Sequence, residues 1–387
     1  MSELTKFKKN DVVSAYCEEY QTNMEAEIVD FRHHRQQAYV HFIKQDKRLD
    51  RWMDVSSLFP STESNMSKQE EHVLSRNQRK LLDDSDSDEE ATTAEFIQFE
   101  KVHREVTKIR NIDFITIGKF TIRTWYYAPY PPPFYKMDHI YICEHCFSYF
   151  KSPEDLQAHI DEKKELCPPG REIYREGNLS VFELKGKRQK LACQNLCLLS
   201  KLFLDHKTLF YDVEGFIFYV LCECDDSGAH IAAYFSRELN SAQNNILACI
   251  TTLPPYQKRG YGHFLISLAY EIAKRQHRTG GPERPLSDLG KIAFKAYWRD
   301  TILNLLKNQP TEITSVDTLV NMTAIDRFDI IDTLKEVGLV TRVKGEYDLN
   351  LNKEALATAL SAVDFSKQKR RIDPSKLIWL NNPDENE

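Results

Sequence analysis

Ile246-Leu247-Ala248-Cys249-Ile250-Thr251-Thr252-Leu253, stopped at Pro254-Pro255 and followed by Tyr256-Gln257-Lys258-Arg259-Gly260-Tyr261-Gly262, is the stretch that decides the fold. The apolar, β-branched run with its abrupt end at two prolines predicts a buried strand. Two glycines then let the backbone curl closely around a ligand with its N–H groups turned inward. From Gly262 a helix is expected, because Phe264, Leu265, Leu268, Ala269 and Ile272 repeat with a 3.6-residue period. Strand, glycine turn and helix N-terminus make an anion site, since unsatisfied N–H groups and the helix dipole favour a phosphate. The turn lacks the Gly-Lys-Ser/Thr ending of a P-loop and the Gly-x-Gly-x-x-Gly spacing of a dinucleotide fold; the pyrophosphate of an acyl-CoA suits it better. Farther on, Gly280-Gly281-Pro282 breaks the chain and presents Glu283, and Ser287 can cap the next helix.

With 387 residues and 41% hydrophobic composition, the chain has room for two or three domains with a substantial core. No apolar run reaches the roughly 18 residues of a membrane span, and Met1-Ser2-Glu3 opens no secretory signal. A nuclear or cytosolic protein with no membrane partner is expected. Nine cysteines, unevenly spread, suit metal ligands, buried thiols or catalytic groups better than disulfides. A net charge of -6 argues against wholesale coating of nucleic acid, yet permits a local acidic cleft that would draw in a lysine-rich peptide.

Residues 8–60 hold short alternating runs, Val12 to Cys17, Glu25 to Phe31, Tyr39 to Ile43 and Trp52 to Leu58, which predict a small barrel. Tyr16, Tyr20, Tyr39, Phe42 and Trp52 could cage a methylated lysine, although aromatics in so small a barrel more often fill it. Residues 61–95 turn to Ser, Gln, Asn and acidic charge and are expected to be a disordered linker; Ser85 and Ser87 sit in an acidic context open to phosphorylation. Cys143-Glu144-His145-Cys146 is a Cys-x-x-Cys knuckle, with His159 and Cys167 beyond it, the kinds of group that tetrahedral zinc requires. Phe216 to Cys224 and His230 to Phe235 read as strands of a central sheet, joined at Asp225-Asp226-Ser227-Gly228 by a hairpin turn. Helical stripes at Val316 to Met322 and Ala324 to Val337, then two strands around Lys344-Gly345, suggest a winged-helix-like arrangement. The basic run Lys367 to Arg371 reads as a solvated segment, with phosphate contact as the alternative.

The blocks Leu253-Pro254-Pro255-Tyr256-Gln257, Pro282-Glu283-Arg284-Pro285-Leu286-Ser287-Asp288-Leu289-Gly290 and Asn195 to Lys207 closely resemble the catalytic core of the MYST histone acetyltransferases, and the likeness runs over residues 96–387. Tyr39-Val40-His41-Phe42 and Lys47 to Trp52 resemble the chromo barrel, or Tudor knot, of one branch of that family. The resemblance implies an α/β fold. A GNAT-like acetyltransferase core (190–300) would carry a zinc-finger-like part (141–167) and a winged-helix-like part (310–380), with the all-β chromo barrel ahead of them.

It also implies transfer of acetyl from acetyl-CoA to histone lysines, chiefly of histone four, in the nucleus. Histones, nucleosomes and a multiprotein chromatin complex would be the partners, with methyl-lysine or RNA contacts through the barrel. Glu283 would be the general base and Cys249 would lie beside the thioester. Ile250, Thr251 and Thr252 would face the pantetheine arm, and Gln257, Lys258, Arg259, Gly260, Tyr261, Gly262 and His263 the pyrophosphate, with a contact from the Ser287 hydroxyl. Lys207 matches the lysine that the family autoacetylates. Two departures stand out: Lys258 occupies a position where the family commonly has arginine, and Lys163 stands where the last finger cysteine is usual. Either Cys167 reaches the metal from a displaced position or a packed, metal-free fold remains.

The chemistry asks for such groups, because a lysine ε-amine with a pKa near 10.4 is protonated at neutral pH and a base must free it. A carboxylate partly shielded from water is suited to this. Direct attack on the thioester needs only Glu283, whereas a covalent route needs the Cys249 thiolate as well. In either route a backbone N–H at or after Cys249 would meet the oxyanion. An inactive chromatin adaptor and an acetyltransferase for non-histone proteins are the alternatives.

Overall fold

The computed structural model describes residues 7–61, 107–309, 311–343, 346–361, 363–365 and 370–378. Most of the expected linker, with Ser85 and Ser87, and the Lys344-Gly345 turn lie outside these. The chain divides into two compact units, Met1–Cys143 with Ser148–Asp161 and Leu196–Phe210, and Glu144–Phe147 with Glu162–Asn195 and Tyr211–Glu387.

In the first unit, β1 (Val12–Cys17), β2 (Thr22–Arg32), β3 (Gln37–Phe42), β4 (Arg51–Asp54) and β5 (Phe59–Pro60) form one sheet in the order β4-β3-β2-β1-β5. Strand alternation explains its core: Val13, Ala15 and Cys17 point inward with Ala26, Ile28, Val40 and Phe42, while Tyr16 stays exposed. The five barrel aromatics do not share one environment. Phe42 and Tyr39 are buried and Tyr16 and Tyr20 are exposed. Trp52 packs edge-on to Tyr39, and the Arg32 guanidinium lies over its ring at 4.5 Å. Arg32 also donates to Asp113 at 3.0 Å. A second small sheet follows, β6 (Phe114–Ile117), β7 (Phe120–Arg123), β8 (His139–Ile142) and β9 (Tyr149–Phe150), in the order β7-β6-β8-β9, and then helix α1 (Pro153–Lys163).

The second unit is built on an antiparallel sheet, β10 (Arg171–Glu176), β11 (Leu179–Lys185), β12 (Phe216–Asp225), β13 (Gly228–Glu238) and β14 (Cys249–Thr252), hydrogen-bonded in that order. Between β11 and β12 comes helix α2 (Lys190–Lys201), which crosses from this unit into the first. The expected hairpin turn joins β12 to β13, with Ser227 N–H donating to Asp225 at 2.8 Å. Helix α3 (Tyr261–Arg275) starts one residue earlier than its periodicity suggested, and it is buried on every side from Phe264 to Ala273. Residues 370–378 supply the reason. They run along α3, with Ile372 N–H donating to Ser267 Oγ at 3.0 Å and Arg275 to the carbonyls of Leu377 and Pro374. After α4 (Asp288–Asn308) come α5 (Val316–Thr323), α6 (Arg327–Glu336), the hairpin β15 (Val340–Val343) and β16 (Glu346–Leu349), and α7 (Lys353–Ser361).

Gly186, just after β11, donates its N–H to Phe216 O at 2.9 Å, and a Cβ on it would collide with the Val213 carbonyl. Backbone cannot step aside as a flexible side chain can. Gly186→Ala is therefore expected to destabilise the protein by ~2–3 kcal/mol, read as a lower urea midpoint with an unchanged m-value.

Candidate active site

The eight-residue apolar run is divided between two partners. Its second half is β14, paired with β13 so that Cys249 lies opposite Ser236 and Ile250 opposite Phe235. Its first half turns to the loop that carries Glu283. Ile246 N–H donates to Gly281 O at 2.9 Å, Glu283 N–H donates to Leu247 O at 2.8 Å, and Leu247 and Pro282 pair in parallel. Glu283 is thus fixed by its own backbone to the residue two positions before Cys249, and both side chains are half-buried. On its other side the loop is held by the start of α6: Gly280 N–H donates to Ala324 O and Asp326 N–H to Gly280 O, each at 3.1 Å. Three short segments, 246–247, 280–283 and 324–326, therefore form one hydrogen-bonded seam. The sequence did not show it, because the loop has no periodic pattern and residues 324–326, expected to open a helix, precede one that starts at Arg327.

Beyond β14 the chain makes the turn whose chemistry the sequence suggested. Gln257 Nε2 donates to Thr252 O at 3.1 Å, bracing the turn against the strand. Gly260 caps α3 in the left-handed region with φ 86°, and no side chain caps the helix. A Cβ on Gly262 would meet nothing within 4 Å, so space beside the helix N-terminus is open. Thr251 Oγ1 is buried with no hydrogen-bond partner among the described residues. Uncapped N–H groups beside open space suit a phosphate diester, so the turn fits the role suggested for residues 257–263. Arg259 is less available than its sequence implied, because it pairs with Glu223 at 3.1 Å and Tyr261 Oη donates to the same carboxylate. In its place the carboxy-terminal segment brings Arg370 to the turn. Its guanidinium lies over the Tyr261 ring at 4.9 Å, and His263 Nδ1–H donates to its carbonyl at 3.0 Å. Arg370 lay inside a run read as solvated, and charge was the one signal that could have singled it out. Ser287 is the N-cap of α4, accepting from Gly290 N–H at 3.1 Å, which leaves its own proton free to donate.

In the finger, Cys143, Cys146 and His159 bring their ligand atoms within 4.8 Å of one another. Zinc bonds of about 2.0–2.3 Å to nitrogen and sulfur fit a set of that size. Cys167 does not join this group. It is exposed, as is Lys163 at the end of α1, although its neighbour Leu166 lies close to His145 of the knuckle across Gly228. Lys207 is buried. Its neighbour Lys201 donates to Asp205 O at 2.9 Å. Burial, aided by the charges of Lys47 and Lys207 and opposed by Asp205, pushes Lys201 down to about 8.

Three family models match the chain: the Tudor-knot, "RNA binding activity-knot of a chromodomain", over residues 10–59, the MYST family zinc finger domain over 109–162, and the MOZ/SAS family over 167–377. The last spans more than half of the sequence. The chain belongs to the MYST family. It is 42% identical over 355 residues to "Histone acetyltransferase of the MYST family 1" of Arabidopsis thaliana, covering 90% of this chain and 78% of that one. It is 36% identical over 387 residues to "Histone acetyltransferase ESA1" of Eremothecium gossypii, covering 92% and 88%. A third relative, "Histone acetyltransferase MOF" of Drosophila melanogaster, is 41% identical over 289 residues, 74% of this chain and 35% of the fly protein.

The MYST finger model stops at residue 162, ahead of both Lys163 and Cys167. With three ligands converging, Cys143→Ser is expected to abolish zinc retention in the purified protein. Cys167→Ser should leave the metal content unchanged; atomic absorption on dialysed protein reads both.

Proposed function

We propose that the chain transfers acetyl groups from acetyl-CoA to lysine ε-amines of histones, chiefly on the tail of histone four, within the nucleus. It would act as a subunit of a multiprotein chromatin complex, with nucleosomes as substrate and the barrel as recruitment module. The backbone seam that ties the Glu283 loop to the strand ending in the Cys249 region, one turn from an open helix N-terminus, carries this reading. The family membership narrows the chemistry to acyl transfer.

Glu283 takes the proton of the incoming ammonium, and the neutral amine nitrogen attacks the thioester carbonyl. A C–N bond forms, the C–S bond breaks, the nitrogen gives up its second proton to the departing CoA thiolate, and Glu283 later returns its proton to solvent. Cys249 shapes the pocket and is not acylated. Ile250, Thr251 and Thr252 line the pantetheine arm, while the amides of residues 257–263 and the Ser287 hydroxyl receive the cofactor's polar groups. Lys207 is the internal acetyl acceptor.

For the barrel, contact with RNA is favoured over a methyl-lysine cage. Arg32 already covers Trp52, and Tyr39 and Phe42 are buried.

Labelled acetyl-CoA and core histones test the assignment. Glu283→Gln should lower kcat at pH 7.5 by about a hundredfold or more, and the deficit should narrow as pH rises toward the lysine pKa, where the amine frees itself. Cys249→Ala should keep most of the activity; its loss at full cofactor binding would point to an acyl-cysteine. Arg370→Ala is expected to raise KM for acetyl-CoA roughly threefold to tenfold with little change in kcat, because it removes a cation beside the phosphate site.

A further inference from the structure

We propose that Asp329 of α6 is a positioning residue for Glu283, holding the catalytic loop through Arg284 and the Gly281 backbone; this rests on Glu283 being the base. Asp329 lies on the first turn of α6, and its side chain is 6% exposed. Arg284, the residue after Glu283, donates from Nη2 to Asp329 Oδ1. Asp329 Oδ2 packs so closely on Gly281 that a Cβ there would sit 2.7 Å from it. The carboxylate therefore spans the loop from the residue two before Glu283 to the residue one after it. Together with the hydrogen bonds between Gly280 and residues 324 and 326, it ties three positions around Glu283, Gly280, Gly281 and Arg284, to one helix N-terminus.

A group that served only stability would be a poor choice here. Burial, against the opposing pull of Arg284 and with help from Asp326 and Asp332, pushes Asp329 up to about 6. Tyr270 of α3 also faces these acidic groups, and its hydroxyl accepts from Trp298 Nε1 at 2.8 Å. The folded protein thus holds this proton more tightly than the unfolded chain, where an aspartate titrates near 3.9. By linkage, Asp329 costs stability as pH rises from about 4 through about 6, and the cost persists at neutral pH. An acid that carries such a cost, and that pairs with the arginine next to the base, points to geometry and not to fold stability as its role.

The test uses the full chain with labelled acetyl-CoA and core histones, wild type alongside. Asp329→Asn is expected to lower kcat about tenfold at pH 7.5, since small displacements of a reacting group are costly, with KM for acetyl-CoA within twofold of wild type. Asp329→Glu should recover most of the loss. Arg284→Gln should resemble Asp329→Asn, and the double variant should be no worse than either alone. The melting temperature of Asp329→Asn should not fall at pH 7.5, and its decline between pH 4 and 6 should be shallower than in wild type. Hydrogen exchange at the Gly280 and Glu283 amides should quicken in Asp329→Asn whether or not acetyl transfer is observed. Unchanged exchange, kcat within twofold of wild type, or a melting temperature that drops together with kcat would each overturn the proposal. A wild-type protein that transfers no acetyl group, with exchange quickened as expected, would instead sink the acetyltransferase reading and leave the clamp standing.

Discussion

Four backbone hydrogen bonds hold the active region together: Ile246 to Gly281, Glu283 to Leu247, Gly280 to Ala324 and Asp326 to Gly280. A loop rich in glycine and proline would otherwise be among the least ordered parts of a fold, since such residues forgo both side-chain packing and regular pairing. Here it is captured between a strand end and a helix start, and all four bonds satisfy groups that burial would leave costly if unpaired. A side chain placed on this loop inherits the rigidity of the two elements beside it.

The seam explains why the apolar run from Ile246 to Leu253 stops being a sheet strand at Ala248. Ala248 N–H still donates to Ser236 O at 2.7 Å, but the two residues before it have already turned to the Glu283 loop. The strand thus changes partners just before Cys249. In the turn, Arg259 is committed to Glu223. Arg370, more than a hundred residues away in sequence, adds a guanidinium beside this turn, over the Tyr261 ring.

Much of this was legible in the sequence. The strand, the turn, the α3 stripe, the Ser287 cap and the Asp225–Gly228 hairpin all declare themselves through periodicity or the special conformations of glycine, serine and aspartate. The Cys143–Cys146 knuckle and His159 were equally visible, because metal ligands are few and specific in kind. What stayed hidden has no local pattern. Cys167 is a ligand-type residue, and that it stands outside the Cys143–Cys146–His159 group depends on where the chain goes after α1. Arg370 reads as one more solvated charge until the path of residues 370–378 along α3 is known. Asp329 reads as an ordinary first-turn acid that suits a helix dipole, and only the fold reveals Arg284 and Gly281 beside it.

The path of residues 370–378 has a further effect at the far side of the sheet. Leu377 bridges Tyr174, and Ile378 N–H donates to Ile173 O at 2.7 Å, so residues 377–378 lie against β10, one edge of the sheet. An uncovered outer strand offers a row of unpaired amides and carbonyls on which a second molecule can add. Residues 377–378 occupy part of that row at Ile173 and Tyr174, which blunts this edge as a template for a second molecule.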